Sequence, residues 1–300
     1  MTVGQETMVH DSPEHGMGGE ADVATAPPAL SDEIRRYYEL GLEKARLTGS
    51  AMGRLEFQRT QELLLRYLPP PPAVILDVGG GPGAYTSWLS TLGYEVHLSD
   101  PISLHVSQAQ MASAGDFLFN QRVSFETGDA RHLHQPDETA DVVLLMGPLY
   151  HLLEKEHRLW ALREAYRVLR PGGLIAVAVI SRFAMALHGL VSGHIDRDCW
   201  DVFQEALRSG EYKPGEHEHN FTTAYLHQPQ ELRRELANAA FLPDATFAVE
   251  GPAWLLPELA TYVDDLGKGR ILADLLHQVE TEPSLLGVSY HLLAFGRKSS

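Results

Sequence analysis

Residues Val74 to Gly83 read Val-Ile-Leu-Asp-Val-Gly-Gly-Gly-Pro-Gly. Val74 to Val78 run on in apolar, largely β-branched residues without alternation, the pattern of a parallel strand buried on both faces. Gly79, Gly80, Gly81 and Gly83 then let the backbone turn sharply and come close to a ligand that a Cβ would hold off. Tyr85, Trp88, Leu89 and Leu92 recur at i, i+3, i+4 and i+7, so a helix follows at once. Strand, glycine loop and helix together make a nucleotide-binding turn of doubly wound type.

The next strand is expected over Glu95 to Leu98, ending at Ser99-Asp100. Asp100, with Pro101 after it, then lies at the carboxyl end of the neighbouring strand, roughly twenty residues beyond the loop, where a carboxylate can accept from both hydroxyls of a ribose. The loop itself argues against a dinucleotide. A pyrophosphate calls for G-x-G-x-x-G, whereas this loop is Gly-Gly-Gly-Pro-Gly preceded by Asp77, and the absence of a P-loop lysine leaves ATP phosphates without a cradle.

These residues resemble the class I S-adenosylmethionine (SAM) dependent methyltransferases, over most of the chain from about Tyr37 onward. The similarity includes a first motif at Asp77-Val-Gly-Gly-Gly-Pro-Gly83, the ribose acid Asp100 and an adenine-edge motif at Gly128-Asp129-Ala130. It continues through a fourth-strand motif from Asp141 to Met146-Gly-Pro-Leu-Tyr-His151 and a turn into the fifth strand at Leu169-Arg-Pro-Gly-Gly-Leu174. The resemblance implies a Rossmann-like, doubly wound α/β fold with a seven-stranded, mostly parallel sheet whose last strand runs antiparallel. It also implies SAM as cofactor. The nearest subgroup looks like small-molecule methyltransferases of bacterial secondary metabolism.

Charge narrows the partners. The chain carries 40 acidic against 24 basic residues, a net charge of -16. A nucleic-acid methyltransferase draws much of its affinity from a basic path along phosphates. Arg35-Arg36 and Arg233-Arg234 are isolated pairs on expected helices, and an acidic surface repels DNA, RNA and anionic membranes. A small-molecule substrate, with no nucleic acid and no membrane partner, is therefore expected. No apolar run reaches the ~20 residues of a membrane span. No secretory pattern opens the chain, and the single cysteine, Cys199, allows no internal disulfide. A cytoplasmic location fits those features. Nothing in the sequence speaks to oligomeric state.

Organisation follows composition. Residues 1–30 are polar and rich in Gly, Pro and His and are expected to form a disordered tail, leaving 31–300 as one methyltransferase domain. Ser31 is a plausible N-cap with Asp32 and Glu33 in the first turn. Ile34, Tyr37, Tyr38, Gly41, Leu42 and Ala45 trace one helical face, and a second helix is expected from about Arg54 to Tyr67, ended by Pro69 to Pro72. In the family such helices cover the cofactor cleft, so 31–68 are read as lid helices. Residues 181–226 form an aromatic-rich helical insert after the fifth strand, expected on the substrate side. Its His194, Asp196, His217 and His219 match no defensible zinc spacing, and no metal site is expected. A helix over Gln230 to Ala240, strands at Ala245 to Val249 and Ser289 to Phe295, and a helix near Leu272 to Glu280 complete the chain.

The resemblance assigns roles. Gly79, Gly80 and Gly81, with Asp77 behind them, face the methionine end, Asp100 the ribose, and Asp129 with the Ala130 amide the adenine. Tyr37 or Tyr38 closes over the methionine carboxylate, and Met146 stands where the fourth strand meets the methyl group. Methyltransferases of base amines carry Asp or Asn before Pro-Pro-Tyr at this place, whereas this chain has Gly147, which removes the usual amine acceptor. Tyr150 and His151 remain as candidate catalytic residues, His151 as general base or orienting acceptor. Two other readings stay open: a SAM enzyme of this fold that transfers no methyl, by cyclising SAM or moving its aminocarboxypropyl arm, and a non-catalytic SAM-binding protein.

Overall fold

The computed structural model describes residues 1–2, 28–113, 122–214 and 221–300. The greater part of the expected tail, and His217 and His219 of the insert, lie outside the described residues.

The strands are β1 (Val74–Val78), β2 (Glu95–Asp100), β3 (Val123–Thr127), β4 (Ala140–Leu145), β5 (Leu169–Ile180), β6 (Glu211–Tyr212), β7 (Ala224–Tyr225), β8 (Leu242–Ala248) and β9 (His291–Arg297). Seven of them form one sheet in the order β3-β2-β1-β4-β5-β9-β8. The first five pair in parallel, and β9 lies antiparallel between β5 and β8. This is the expected mixed α/β architecture. The strand order reverses between β1 and β4, and ligand crevices open at the carboxyl ends of the strands at such a switch point.

The apolar run that marked β1 works because successive residues face opposite layers. Ile75 packs with Val142, Leu144, Leu63 and Leu64 on one face, while Leu76 and Val78 pack with Val143, Leu145 and Leu162 on the other. Each such fully buried side chain contributes roughly 1.5–3 kcal/mol.

Two expectations at the N-terminus change. Helix α1 (Asp32–Glu39) is capped by Ser31, whose hydroxyl accepts from the Ile34 amide at 3.3 Å. The continuous face drawn through Gly41 to Ala45 is broken, because Gly41 adopts φ 71° and starts a 3-10 turn over Leu42–Ala45. Helices α2 (Arg46–Gly49) and α3 (Ala51–Tyr67) follow. Helix α3 is more than a lid: Leu63 and Leu64 are fully buried in the sheet's own core layer. The cavity is lined from this region by Ile34 and Tyr38 of α1, by the 3-10 turn and α2, and from α3 by Phe57.

The insert holds helices over Ala184–Ser192 and Arg197–Ser209 and the β6–β7 pair. Met185, Phe203, Tyr212, Ala224 and Leu226 form a satellite core that includes Tyr150. Asp196 caps the second of these helices by accepting from the Cys199 amide at 2.9 Å. Phe183 and Trp200 stay exposed.

The turn that carries Tyr150 and His151 is held from below by a buried ion pair. Arg158, fully buried, meets both carboxylate oxygens of Glu235 at 2.8–3.1 Å and donates to the carbonyls of Leu152 and Leu153 at 2.9 and 2.6 Å. Burial raises the Glu235 carboxyl, but hydrogen bonds from His227 and Arg158 outweigh it and hold the group down at about 2. A depressed carboxyl contributes stability above its unfolded value and loses it as pH falls toward the folded one. Stability tied to Glu235 is therefore expected to persist above about pH 4.5 and to vanish toward pH 2. Arg158→Met should destabilise by about 3–5 kcal/mol, because it strands a buried carboxylate, and Glu235→Leu added to it should recover most of that loss. Urea melts of the two variants check this, and an unchanged midpoint in the single variant contradicts it.

Candidate active site

The glycine loop is fixed by what surrounds it. Gly79, Gly81 and Gly83 adopt φ of 70°, 55° and 85°, which L side chains rarely take. A Cβ on Gly79 would stand 2.6 Å from Pro148 Cγ, and one on Gly80 2.8 Å from the Asp77 carboxylate. Gly81 differs: its Cβ direction opens into the cleft, with only Glu43 Cγ nearby at 3.7 Å. The loop amides are spent within the protein, Gly79 on the Ser99 carbonyl at 2.7 Å and Gly81 on Asp100 Oδ2 at 2.9 Å. What the loop offers a ligand is a bare floor and carbonyl oxygens.

Asp77 lies beneath that floor, fully buried. One oxygen accepts from Thr86 Oγ1 at 2.6 Å, and Oδ1 is buried without a partner among the described residues. Burial, with the nearby Asp100 charge added and Thr86 opposing, pushes its carboxyl up to about 6.

Asp100 ends β2 as expected, and its carboxylate is already held. Oδ2 accepts from Gly81, while Oδ1 accepts from the Ile102 amide at 2.8 Å and meets His105 Nδ1 at 3.1 Å. Two carboxylate oxygens carry about four lone-pair sites, so acceptor capacity remains and its direction is set by three protein partners. Asp129, after β3, accepts from the Arg131 amide and guanidinium at 2.7–2.9 Å, which holds its carboxyl below the usual range against the effect of burial. Arg131 also donates to the Pro28 carbonyl at 2.5 Å. The segment read as tail thus reaches the site at its end.

The expectation for His151 meets a different geometry. Its Nε2 lies 2.6 Å from the Tyr38 hydroxyl, Nδ1 is buried with no partner among the described residues, and burial pushes the imidazole down to about 3. Burial also raises the Tyr38 phenol well above its ordinary value, so both partners of this contact are neutral, and the imidazole tautomer sets which of them donates. His151 fastens α1 to the turn after β4, with one ring nitrogen on Tyr38 and the other buried. The sequence places His151 by its position after the fourth strand and gives no sign of this burial. Tyr150, also raised by burial, packs its ring 4.5 Å from that of His151, with Phe221 of the insert 6.0 Å from both.

These groups surround one cavity of about 310 Å³, lined by Tyr38, Gly79, Gly80, Gly81, Asp100, Pro101, Asp129, Ala130, Met146, Tyr150 and His151. Asp77 is the one predicted site residue beneath the lining rather than in it. The same cavity is lined by Glu43, Arg46, His105 and Arg131, none of which the sequence singled out. A cradle that excludes Cβ atoms, acids after β2 and β3, and apolar Ile102 between them fit an adenosine with an amino-acid tail. Among the described residues, Glu56, Glu250 and His291 offer donor atoms within 4.8 Å of one another. That group is already satisfied by protein, since Arg46 sits on Glu56 at 2.6 Å and His291 on Glu250 at 2.6 Å.

An acid whose folded value is raised binds more protons folded than unfolded, so stability falls as pH rises between the two values. For Asp77 that window runs from about 4 to about 6, and Asp77→Asn should remove up to about 3 kcal/mol of that slope. Thermal melts from pH 4 to 7 check this, and an unaltered pH slope in the variant contradicts it.

Comparison with known proteins agrees with this geometry. Residues 75–173 match the family model described as a methyltransferase domain. The 27-O-demethylrifamycin SV methyltransferase of Amycolatopsis mediterranei is 34% identical over 107 residues, covering 34% of this chain and 37% of that protein. The tRNA 5-carboxymethoxyuridine methyltransferase of Escherichia coli is 26% identical over 136 residues, 44% of this chain and 50% of that one. The chain thus spans no more than half the length of these curated relatives. Among solved structures, the [4+2]-cyclase SpnF superposes with a TM-score of 0.58 at 17% identity, covering 92% of this chain and 99% of that one, which shows a shared fold. The glycine cradle, Asp100 closing β2 and Asp129 after β3 all lie within the stretch that matches the methyltransferase domain, on the seven-stranded sheet.

Proposed function

We propose that this protein transfers the methyl group of SAM to a small-molecule acceptor, on oxygen, nitrogen or carbon. The observation that carries the reading is a single cavity that brings the glycine floor, Asp100 and Asp129 together with the Met146–His151 turn. In this reading Asp129 and Ala130 receive the adenine edge, Asp100 the ribose hydroxyls, and the floor at Gly81 the methionine end. Bound there, SAM supplies an electrophilic methyl on a sulfonium. An acceptor would take that methyl as the C–S bond pair returns to sulfur, giving S-adenosylhomocysteine, and any acceptor proton would pass to water.

The protein's own contribution is placement. Orienting two reactants supplies roughly 7–11 kcal/mol of a barrier, whereas a general base contributes about 10²–10⁴-fold. With one His151 nitrogen held by Tyr38 and the other buried, positioning carries the rate in this reading. We assign Tyr150 and His151 to the wall that excludes water and shapes the acceptor space, and the insert, through Phe221, to the same wall. The charge of -16 supports a small acceptor over a polyanion. Secondary metabolism is the setting that the rifamycin relative suggests. No helix among the described residues is long and apolar enough to cross a membrane, and we propose a cytoplasmic location.

The engaged His151 gives a second reading some weight, that of SAM chemistry without methyl transfer. Incubation with methyl-labelled SAM and a panel of phenols, alcohols, amines and activated methylenes separates the two. The account expects label in a small-molecule product with S-adenosylhomocysteine formed in step, little changed by 0.5 M salt at about the ionic strength where phosphate contacts have failed. Asp100→Ala should weaken SAM binding about 10- to 100-fold, the loss of charge-assisted hydrogen bonds. Methylthioadenosine formed from SAM alone would favour the second reading, and labelled RNA at physiological salt would overturn the small-acceptor one.

A further inference from the structure

The turn after β4 sets a hydroxyl where a side chain is missing. Gly147 opens the 3-10 turn Pro148–His151, and residues three apart on such a turn lie over one another, here Gly147 and Tyr150. A Cβ on Gly147 would stand 3.1 Å from Tyr150 Oη and 3.7 Å from its Cζ, with the Gly79 carbonyl oxygen 3.8 Å away. The Tyr150 ring thus folds back over its own turn, and its hydroxyl takes the place from which a side chain at 147 would project. Met146, Gly147 and Tyr150 all line the cavity that holds the glycine floor.

That hydroxyl is fixed from the protein side. The Tyr150 ring is buried in the satellite core of the insert. The Tyr38 side chain hydrogen-bonds its hydroxyl, and Tyr38 Oη lies in turn 2.6 Å from His151 Nε2. Burial raises both phenols and lowers the imidazole, so all three groups are neutral at neutral pH. The charged groups nearby are already matched, since Arg46 donates to Glu43 and Glu56 at 2.6 Å each. Tyr150, Tyr38 and His151 therefore form a row of neutral groups that can run either way. With the imidazole proton on Nε2, each member donates to the next and Tyr150 ends the row as a donor. With that proton on Nδ1 the donations reverse, and Tyr150 ends it as an acceptor.

A ligand group that completes such a row must serve both directions. A hydroxyl does: its oxygen can accept from Tyr150 and keep a second lone pair for attack, or donate to Tyr150 and keep both. A neutral amine has one lone pair, which a donor would occupy, and an attacking carbon offers no comparable hydrogen bond. Resting on the methyl-transfer reading above, we propose that Tyr150 is a catalytic residue whose hydroxyl holds the attacking oxygen of an alcohol or phenol acceptor in the space over Gly147. The oxygen–carbon bond forms as the carbon–sulfur pair returns to sulfur, and the acceptor's proton passes to water, so no member of the row changes charge.

Methyl-labelled SAM, the full chain and a panel in which each phenol is paired with the corresponding aniline and each alcohol with the corresponding primary amine test this. Label is expected on the hydroxyl member of a pair. Tyr150→Phe keeps the ring and removes the hydroxyl alone. It should lower kcat/KM for that member by about 5- to 20-fold, the scale of one hydrogen bond. Its affinity for S-adenosylhomocysteine, read by calorimetry, should stay within about twofold, inside the spread of changes that break no structural feature. Gly147→Ala, whose methyl must push the hydroxyl aside, should cost the same acceptors a smaller factor. Label on the amine members instead, a Tyr150→Phe rate within about twofold of wild type, or a fall in rate matched by an equal fall in S-adenosylhomocysteine affinity would overturn the proposal. A wild type that binds S-adenosylhomocysteine but labels no acceptor is a separate failure, that of the methyl-transfer reading itself, and the proposal falls with it.

Discussion

The molecule turns on the crowding of one loop. Between β1 and α4 (Ala84–Thr91) the backbone passes with Pro148 against Gly79 and the Asp77 carboxylate against Gly80 at distances where no Cβ fits, and with Ala109 against Gly83 at a tight 3.0 Å. Each contact comes from a different element: the turn after β4, β1 itself and the helix Ser103–Ser113. The loop is therefore a gauge of whether the sheet, both flanking helices and the β4 turn are in register. Only Gly81 is left facing open space, and it faces the cavity. Folding and ligand access depend on the same few ångströms.

Charge is distributed to suit that geometry. Asp77 is buried with one oxygen unanswered, while Asp100 and Asp129 are each held by several donors from their own neighbourhood. An unanswered buried carboxylate is costly, and this one lies beneath the floor rather than in the cavity lining. The lid meets the core in two ways. Ile34 and Tyr38 of α1 pack on Ile102, and Arg46 joins α2 to the buried Glu56. One contact is apolar and lies beside the proposed adenine pocket; the other is ionic and lies near the opposite end.

Much of this was legible in the sequence, because the deciding signals are local. The β1 run, the glycines, Asp100 closing β2 and the Asp129-Ala130 pair each declare themselves within a few residues, and all but the β1 run line one cavity. The breaks were less legible. Gly41 reads as part of a helical face until its positive φ is seen, and α3 reads as a lid although Leu63 and Leu64 belong to the core. His151 shows the limit most plainly. Its position could be read, but its burial and its bond to Tyr38 depend on a residue 113 positions away. Arg46, Glu56, Glu250 and His291 carry no motif at all. Their relation exists only once β9 has inserted beside β5.

The central claim is that the glycine cradle and the α1–α2 lid close on one ligand. Amide hydrogen exchange of the full chain with and without S-adenosylhomocysteine tests it most directly, since exchange reports local opening segment by segment. The account predicts slowed exchange in residues 79–83, 100–105 and 128–131 together with 32–49. Slowing confined to the loop segments with α1 and α2 unchanged, or to surfaces away from both, would contradict it.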